Sequence, residues 1–324
     1  MNIQDNKDFQ ELVKLVGEEV SFSPVKAQEL INRIRETVKV YIIENKLKAL
    51  IVGVSGGLDS AIICAILQEK YTSVPLIGIS IPLSSSNEHM EQAEWVGNKY
   101  CSVFEEFNEW EEDYYTRETI ENKVYESTPL YKRLFDVLER TDSIAEKAGF
   151  KVNDFPKSVL QGNMKARIRM LTLYDLARKV EGMVLSTDNL SEFRMGFWTI
   201  NGDVGDYGAI QNIGKGFELP IIAKALNIRE DIITQPPSDG LMVTEANTDE
   251  QQLGANYKEV DTIMYCMEKA NENFTKFSKT EIGKLYLDLF NKNQEKIWDV
   301  TTRYNAMAYK RKGTINLSRE EIGL

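Results

Sequence analysis

Eight consecutive residues, Gly53-Val54-Ser55-Gly56-Gly57-Leu58-Asp59-Ser60, follow the apolar run Ala49-Leu50-Ile51-Val52 and precede the apolar segment Ala61-Ile62-Ile63-Cys64-Ala65-Ile66-Leu67. Strand, glycine-rich turn and helix in that order make a phosphate cradle. Glycine allows positive φ and a close approach of backbone N–H groups to an anion, and the following helix adds unpaired N-terminal donors and the positive end of its dipole. No Gly-Lys-[Ser/Thr] closes the turn, so it is not a Walker loop. Asp59 instead puts a carboxylate where phosphates would lie, which requires a divalent cation between the two; Mg²⁺ is commonly held by one or two carboxylates plus phosphate oxygens. The competing reading is a plain turn in which Asp59 and Ser60 cap a core helix, which leaves Ser55, Gly56 and Gly57 unexplained.

The elements that must position this loop alternate. Ser23-Pro24 reads as the start of a helix whose apolar stripe runs through Leu30, Ile31, Ile34, Val38, Tyr41 and Ile42. Strands are predicted at residues 75–81, 102–104 and 183–186, with helices over about 88–98 and along the stripe Ala166, Met170, Leu173, Ala177 and Val180. The fold class that follows is α/β, a doubly wound parallel sheet flanked by helices and joined by right-handed crossovers. Residues 106–156 break the rhythm and read as a helical insertion, either a lid or extra surface packing, within a single domain spanning 1–324. Thr187-Asp188-Asn189 follows the last strand, so Thr187 and Ser55 are expected to share the crevice at the carboxyl edge of the sheet.

Composition removes several function classes. The chain has 324 residues, a net charge of −11, 42% apolar and 27% charged residues, an ordinary globular composition without the basic stripe of a nucleic-acid surface. No run approaches the ~18 apolar residues of a membrane span and the first residues lack a signal pattern, so a cytoplasmic protein with no membrane partner is expected. Cys64, Cys101 and Cys266 lie far apart in sequence, indicating neither a zinc site nor a disulfide framework. The single histidine, His89, reads as part of a solvated helix start and rules out a multi-histidine metal site.

Ser-Gly-Gly-x-Asp-Ser after a first strand resembles the pyrophosphate loop of the ATP pyrophosphatases, which adenylate a substrate and release pyrophosphate. Two further stretches narrow the resemblance: Gly162-Asn163-Met164-Lys165-Ala166-Arg167-Ile168-Arg169-Met170, and Ser186-Thr187-Asp188-Asn189-Leu190-Ser191-Glu192 followed by Gly196-Phe197-Trp198-Thr199 and Gly202-Asp203. With Pro236-Pro237-Ser238-Asp239-Gly240-Leu241, Leu253-Gly254-Ala255-Asn256-Tyr257, Val260-Asp261 and Tyr309-Lys310-Arg311, the chain is similar to the ammonia-dependent NAD synthetases from about residue 45 to 312. The resemblance implies ATP-dependent amidation of deamido-NAD by ammonia, with ATP as co-substrate, Mg²⁺ as cofactor and a homodimer as the working form. It implies that Gly53 to Ser60, including Val54 and Leu58, contact ATP together with Thr187, Lys215 and Ser238, and that Asp59 and Glu192 ligate the metal. Arg167, Phe197, Asp203, Asp206, Tyr309 and Lys310 fall on the substrate side, and Asp59, Lys215 and Asp203 are the catalytic candidates. For Lys165, Arg167 and Arg169 the alternative is a solvated helix face.

Departures concentrate on the acceptor side. Val204-Gly205-Asp206 is one residue shorter than the family's usual Gly-Gly-x-Asp, Ile200 stands at a frequent lysine position, Ser80 at an arginine position and Tyr309 at a frequent histidine; Ser238 replaces a usual threonine. An enzyme that adenylates a different carboxylate or carbonyl acceptor is therefore the second reading, and a nucleotide-binding protein without catalysis the third.

Overall fold

The structure, a computed structural model, describes residues 3–83, 85–108, 130–138, 141–149, 151, 157–238 and 248–313. Two helices, α1 (Ile3–Val20) and α2 (Pro24–Asn45), precede β1 (Ala49–Gly53). Then come α3 (Leu58–Ile66), α4 (Glu69–Thr72), β2 (Leu76–Ser80), α5 (Asn87–Tyr100) and β3 (Val103–Glu106). After α6 (Leu130–Leu138) and α7 (Asp142–Lys147), the long α8 (Lys157–Lys179) leads into β4 (Gly182–Val184) and α9 (Leu190–Met195). The α-helices described after that are α10 (Glu218–Ala225), α11 (Glu230–Thr234), α12 (Asp249–Leu253), α13 (Tyr257–Phe277), α14 (Glu281–Asn291) and α15 (Glu295–Ala306).

The four strands among the described residues form one parallel sheet in the order β3-β2-β1-β4. Chain order reverses between β1 and β4, so the loops leaving their carboxyl ends part and open a crevice there. Alternation along β1 assigns its side chains to two cores. Leu50 and Val52, with Val54 just beyond the strand, pack with α2, α3, α5 and α10, through Ile31, Val38, Val96 and Ile222 among others. Ala49 and Ile51 face α8 and α6, through Ile168, Leu173, Tyr131 and Phe135. A third core of Phe9, Leu12, Val16, Val260, Ile263, Leu289 and Ile297 joins α1 to α13, α14 and α15 and rests on Met195 of α9.

Sequence cues explain the boundaries. Ser23 accepts the Lys26 N–H at 3.2 Å and Pro24 supplies the first helical residue of α2, which ends where Lys46 turns left-handed at φ 54°. The strands and helices fall where the pattern predicts them, with ends shifted by a few residues. The insertion can be followed in part. β3 continues to Glu106, so any insertion begins later than 106. Its described helix α6 buries Tyr131 and Phe135 in the core beneath α8, as the surface-packing reading expects of that part; residues 109–129, 139–140, 150 and 152–156 lie outside the described residues. Helix α1 went unpredicted, although Phe9, Leu12 and Val16 keep a helical spacing. Among the described residues, no helix is long and apolar enough to cross a membrane.

Candidate active site

The glycine-rich turn sits at the reversal point. Its Gly56 has φ +82°, and a Cβ there would lie 2.2 Å from the carbonyl oxygen of His89, so only glycine fits both the turn and the approach of α5. Gly57 is the N-cap of α3 and makes no side-chain cap, which removes the capping role as the explanation for Asp59 and Ser60. Ser60 Oγ donates to the Gly57 carbonyl at 3.0 Å and lies 3.2 Å from Ser55 Oγ, which in turn accepts the Gly57 N–H at 3.2 Å. These hydroxyls hold the turn in shape. Asp59, in the first turn of α3, points into the crevice toward Asn189 and Lys215.

Facing it from across the reversal point is α9. Asn189 caps that helix by accepting the Glu192 N–H at 3.0 Å, while Glu192 Oε2 accepts the Asn189 N–H at 3.5 Å, a reciprocal capping box. The same Asn189 donates its Nδ2 to Asp59 Oδ1 at 3.3 Å. One cap residue thus orients both proposed metal carboxylates. Lys215 Nζ lies 2.8 Å from Asp59 Oδ2, 2.8 Å from Glu192 Oε1 and 3.7 Å from Asp249 Oδ2. Tyr257 donates its hydroxyl to Asp249 Oδ2 at 2.8 Å and lies 3.2 Å from Glu192 Oε1.

Three carboxylates around one ammonium leave excess negative charge in a partly buried place. Burial pulls Lys215 down, but Asp59, Glu192 and Asp249 outweigh it and hold the lysine well above its ordinary value. Burial pushes Glu192 up, opposed by Lys215 and reinforced by Asp59 and Asp249. Tyr257 is raised well above its ordinary value, first by burial and then by the same carboxylates, and stays a hydrogen-bond donor. No group of three or more carboxylate, cysteine or histidine side chains able to hold a metal alone occurs among the described residues. The site still fits Mg²⁺, because Asp59 and Glu192 already converge on one cationic nitrogen and Mg²⁺ takes its remaining ligands from phosphate oxygens and water.

These groups line a recess of about 550 Å³, which also takes in Gly53 to Ser55, Gly57 to Ser60, Thr187, Phe197, Asp203 and Ser238. One wall, with Val54, Ile79, Ile81, Met170, Leu173 and Leu185, is apolar. Asp203, also on the lining, accepts the Thr199 N–H on Oδ1 at 2.8 Å. Although Asp203 is accessible at the surface, the protein atoms crowding its carboxyl raise it to about 7, with Asp188 adding to the effect. Asp188 is buried, is itself raised by that burial, and accepts from Gln211 Nε2 at 3.1 Å.

Not every candidate reaches the recess. Arg167 is exposed on α8 and donates to the Ile200 carbonyl at 3.2 Å; Asp206 accepts the Tyr174 hydroxyl at 2.7 Å and the Val184 N–H at 3.2 Å. Neither lines the recess. Tyr309 is exposed, and Lys310 Nζ donates to the carbonyls of Gly196 and Trp198 beside the recess. His89 corrects the sequence reading: its ring lies 2.9 Å from Ser86 Oγ at the start of α5, yet the residue lines the recess and burial lowers its pKa. Asp249 and Tyr257 were not singled out as site residues; the run Thr-Asp-Glu-Gln beginning at Thr248, a capping-box pattern, is the only local signal for Asp249. Cys64 and Cys101, distant in sequence, place their sulfurs 3.9 Å apart as free thiols.

The NAD synthase family model matches residues 30–313. The chain belongs to the NAD synthase family. An NH(3)-dependent NAD(+) synthetase of Methanocaldococcus jannaschii is 28% identical over 83% of this chain and 94% of its own length, and one of Methanococcus aeolicus is 30% identical over 76% and 85%. Among solved structures, an NMN synthetase from Francisella tularensis superposes with a TM-score of 0.62 at 21% identity, covering 92% of this chain and 99% of that one. An NH3-dependent NAD synthetase from Campylobacter jejuni gives 0.58 at 19%, covering 90% and 99%. At these identities the superpositions establish the NAD synthase fold, and the family is carried by the sequence relatives.

Proposed function

We propose that this chain amidates deamido-NAD to NAD with ammonia and ATP, through an acyl-adenylate, releasing pyrophosphate and AMP. The observation that carries the reading is the convergence of Asp59, Glu192 and Lys215 beneath the Ser55–Ser60 turn at the reversal point of the sheet. The turn and the α3 N-terminus receive the β- and γ-phosphates, and the apolar wall receives the adenine. Held by Asp59 and Glu192, Mg²⁺ would neutralise phosphate charge and polarise the phosphoryl oxygens. The nicotinate carboxylate oxygen attacks the α-phosphorus and the bond to pyrophosphate breaks; Lys215, freed from its carboxylates, stabilises the charge that develops. Ammonia then attacks the acyl carbon, AMP leaves, and Asp203, whose pKa lies near neutrality, takes the surplus proton.

The reading includes a homodimer in the cytoplasm, built from one domain with the insertion between β3 and α8. Arg167 stands on an exposed face of α8 with Leu171 and Tyr174, and Asp206 bonds to Tyr174, so the residues missing from the recess cluster on a surface a second copy could cover. Incubation with ATP, magnesium, deamido-NAD and an ammonium salt should yield NAD, followed by its absorbance after enzymatic reduction. AMP release with glutamine alone and none with ammonium would reject the nitrogen donor. Ile200, 42% exposed beside Arg167, favours the second reading of another acceptor. A screen of carboxylates that reads AMP release decides between them: deamido-NAD giving no more AMP than ATP alone supports the other acceptor.

A further inference from the structure

Lys215 is surrounded by three carboxylates, and the proposed reaction uses two of them for the cation. The third, Asp249, is 2% exposed and stands at the start of α12. Its side chain is 3.7 Å from Lys215 Nζ, within ion-pair range and beyond hydrogen-bond reach, and receives the Tyr257 hydroxyl at 2.8 Å. The lysine ammonium lies 4.6 Å over the ring of that tyrosine. Asp249 also donates its backbone N–H to the Pro237 carbonyl at 2.9 Å, fixing α12 to the stretch that carries Ser238 on the recess wall. Tyr257 is buried at the first turn of α13, so both members of this pair are placed by helix N-termini.

Resting on the ATP-pyrophosphatase reading, we infer that Asp249, held by the Tyr257 hydroxyl, is the positioning residue that keeps Lys215 aimed at the pyrophosphate when Asp59 and Glu192 turn to the metal. A divalent cation on those two carboxylates removes the lysine's near partners and repels its ammonium. Asp249 is the neighbouring anion that remains, and the aromatic face of Tyr257 adds attraction from the same side. Without Asp249, Lys215 competes with the cation for Asp59 and Glu192 or is driven out of the recess. Either outcome weakens the hold on phosphate.

The sign of the effect separates this role from ordinary electrostatics. Removing a negative charge from an anion site should by itself tighten anion binding, whereas losing the positioning of Lys215 should loosen it. The test is calorimetric titration of magnesium pyrophosphate into wild type, Asp249→Asn, Lys215→Ala and the double variant. Asp249→Asn should weaken binding about tenfold, the size of one charge-assisted contact. The same replacement in the Lys215→Ala background should weaken it no further, because the group it acts through is gone. Tyr257→Phe, which removes only the hydroxyl, should show a smaller loss of the same sign and carries the test should Asp249→Asn fail to fold. Unchanged or tighter binding in the single variants Asp249→Asn and Tyr257→Phe, or an equal loss on replacing Asp249 with and without Lys215, overturns the inference. Wild type that does not bind magnesium pyrophosphate overturns the ATP-pyrophosphatase reading itself, a result distinguishable from the first.

Discussion

Asp59 is costly to hold, and the proposed metal site is what would require it. With Glu192 and Asp249 it gives the cluster more negative charge than Lys215 can balance, and buried charge left unbalanced is destabilising. Asp59→Asn keeps the Asn189 contact in shape while removing one surplus charge. Pyrophosphate release should fall by roughly 100-fold or more, while the melting temperature stays level or rises; a variant that is active, or inactive only because it has unfolded, contradicts the assignment. The raised carboxyls also set a pH dependence. Asp261 lies at about 6 and Glu192 above its ordinary value, both through burial, so the folded state binds protons that the unfolded state has released. Stability of the nucleotide-free protein is therefore greatest below the ordinary carboxylate range and declines as pH rises through about 6 and beyond. Urea unfolding between pH 4.5 and 8 should show that decline, and Mg-ATP should reduce it; a rise in stability over the same range would show that other groups dominate.

At the scale of elements, the recess depends on helices that bear none of the proposed ATP or metal contacts. Asp261 of α13 accepts the Ser191 hydroxyl at 2.6 Å and the Gly216 N–H at 2.8 Å, while Ser191 Oγ accepts the Lys215 N–H at 2.9 Å. One buried carboxylate thus joins α9, which carries Glu192, to the loop that carries Lys215. A Cβ on Gly216 would approach the Tyr257 carbonyl to 2.6 Å, so that loop is pressed against the first turn of α13. Asp261→Ala should cost about 2–4 kcal/mol by leaving two buried donors unmet, and should weaken ATP binding as Lys215 loses its place. Denaturant unfolding together with nucleotide titration checks both; lost stability with unchanged ATP affinity would limit Asp261 to a structural role. The motif around Asp261 is visible in the sequence, but its reach to Gly216 across 45 residues is not.

For the whole molecule, the exposed face of α8 is where a second subunit is proposed. Leu171 is 61% exposed and Leu160 45%, large apolar groups left open to solvent among the described residues. Leu171→Glu should leave the single-chain fold within about 0.5 kcal/mol, separate the proposed dimer in light-scattering chromatography, and lower NAD formation; an unchanged molar mass rejects that surface as the interface. The sequence by itself determined whatever depends on neighbours along the chain. The phosphate turn, the parallel α/β alternation, the apolar stripe of α8 and the Asn189-to-Glu192 cap are all written within a few residues, because φ preferences, caps and hydrophobic period act locally. Asp59 and Glu192 could be named from motifs, yet only the strand order β3-β2-β1-β4 brings them to one lysine. Asp249, the sulfur pair of Cys64 and Cys101, and the turn of Asp206 toward Tyr174 were decided by tertiary packing alone. Contacts between residues 32 to 37 positions apart in the chain obey the geometry of packed layers, and no local pattern encodes which side chains those layers bring face to face.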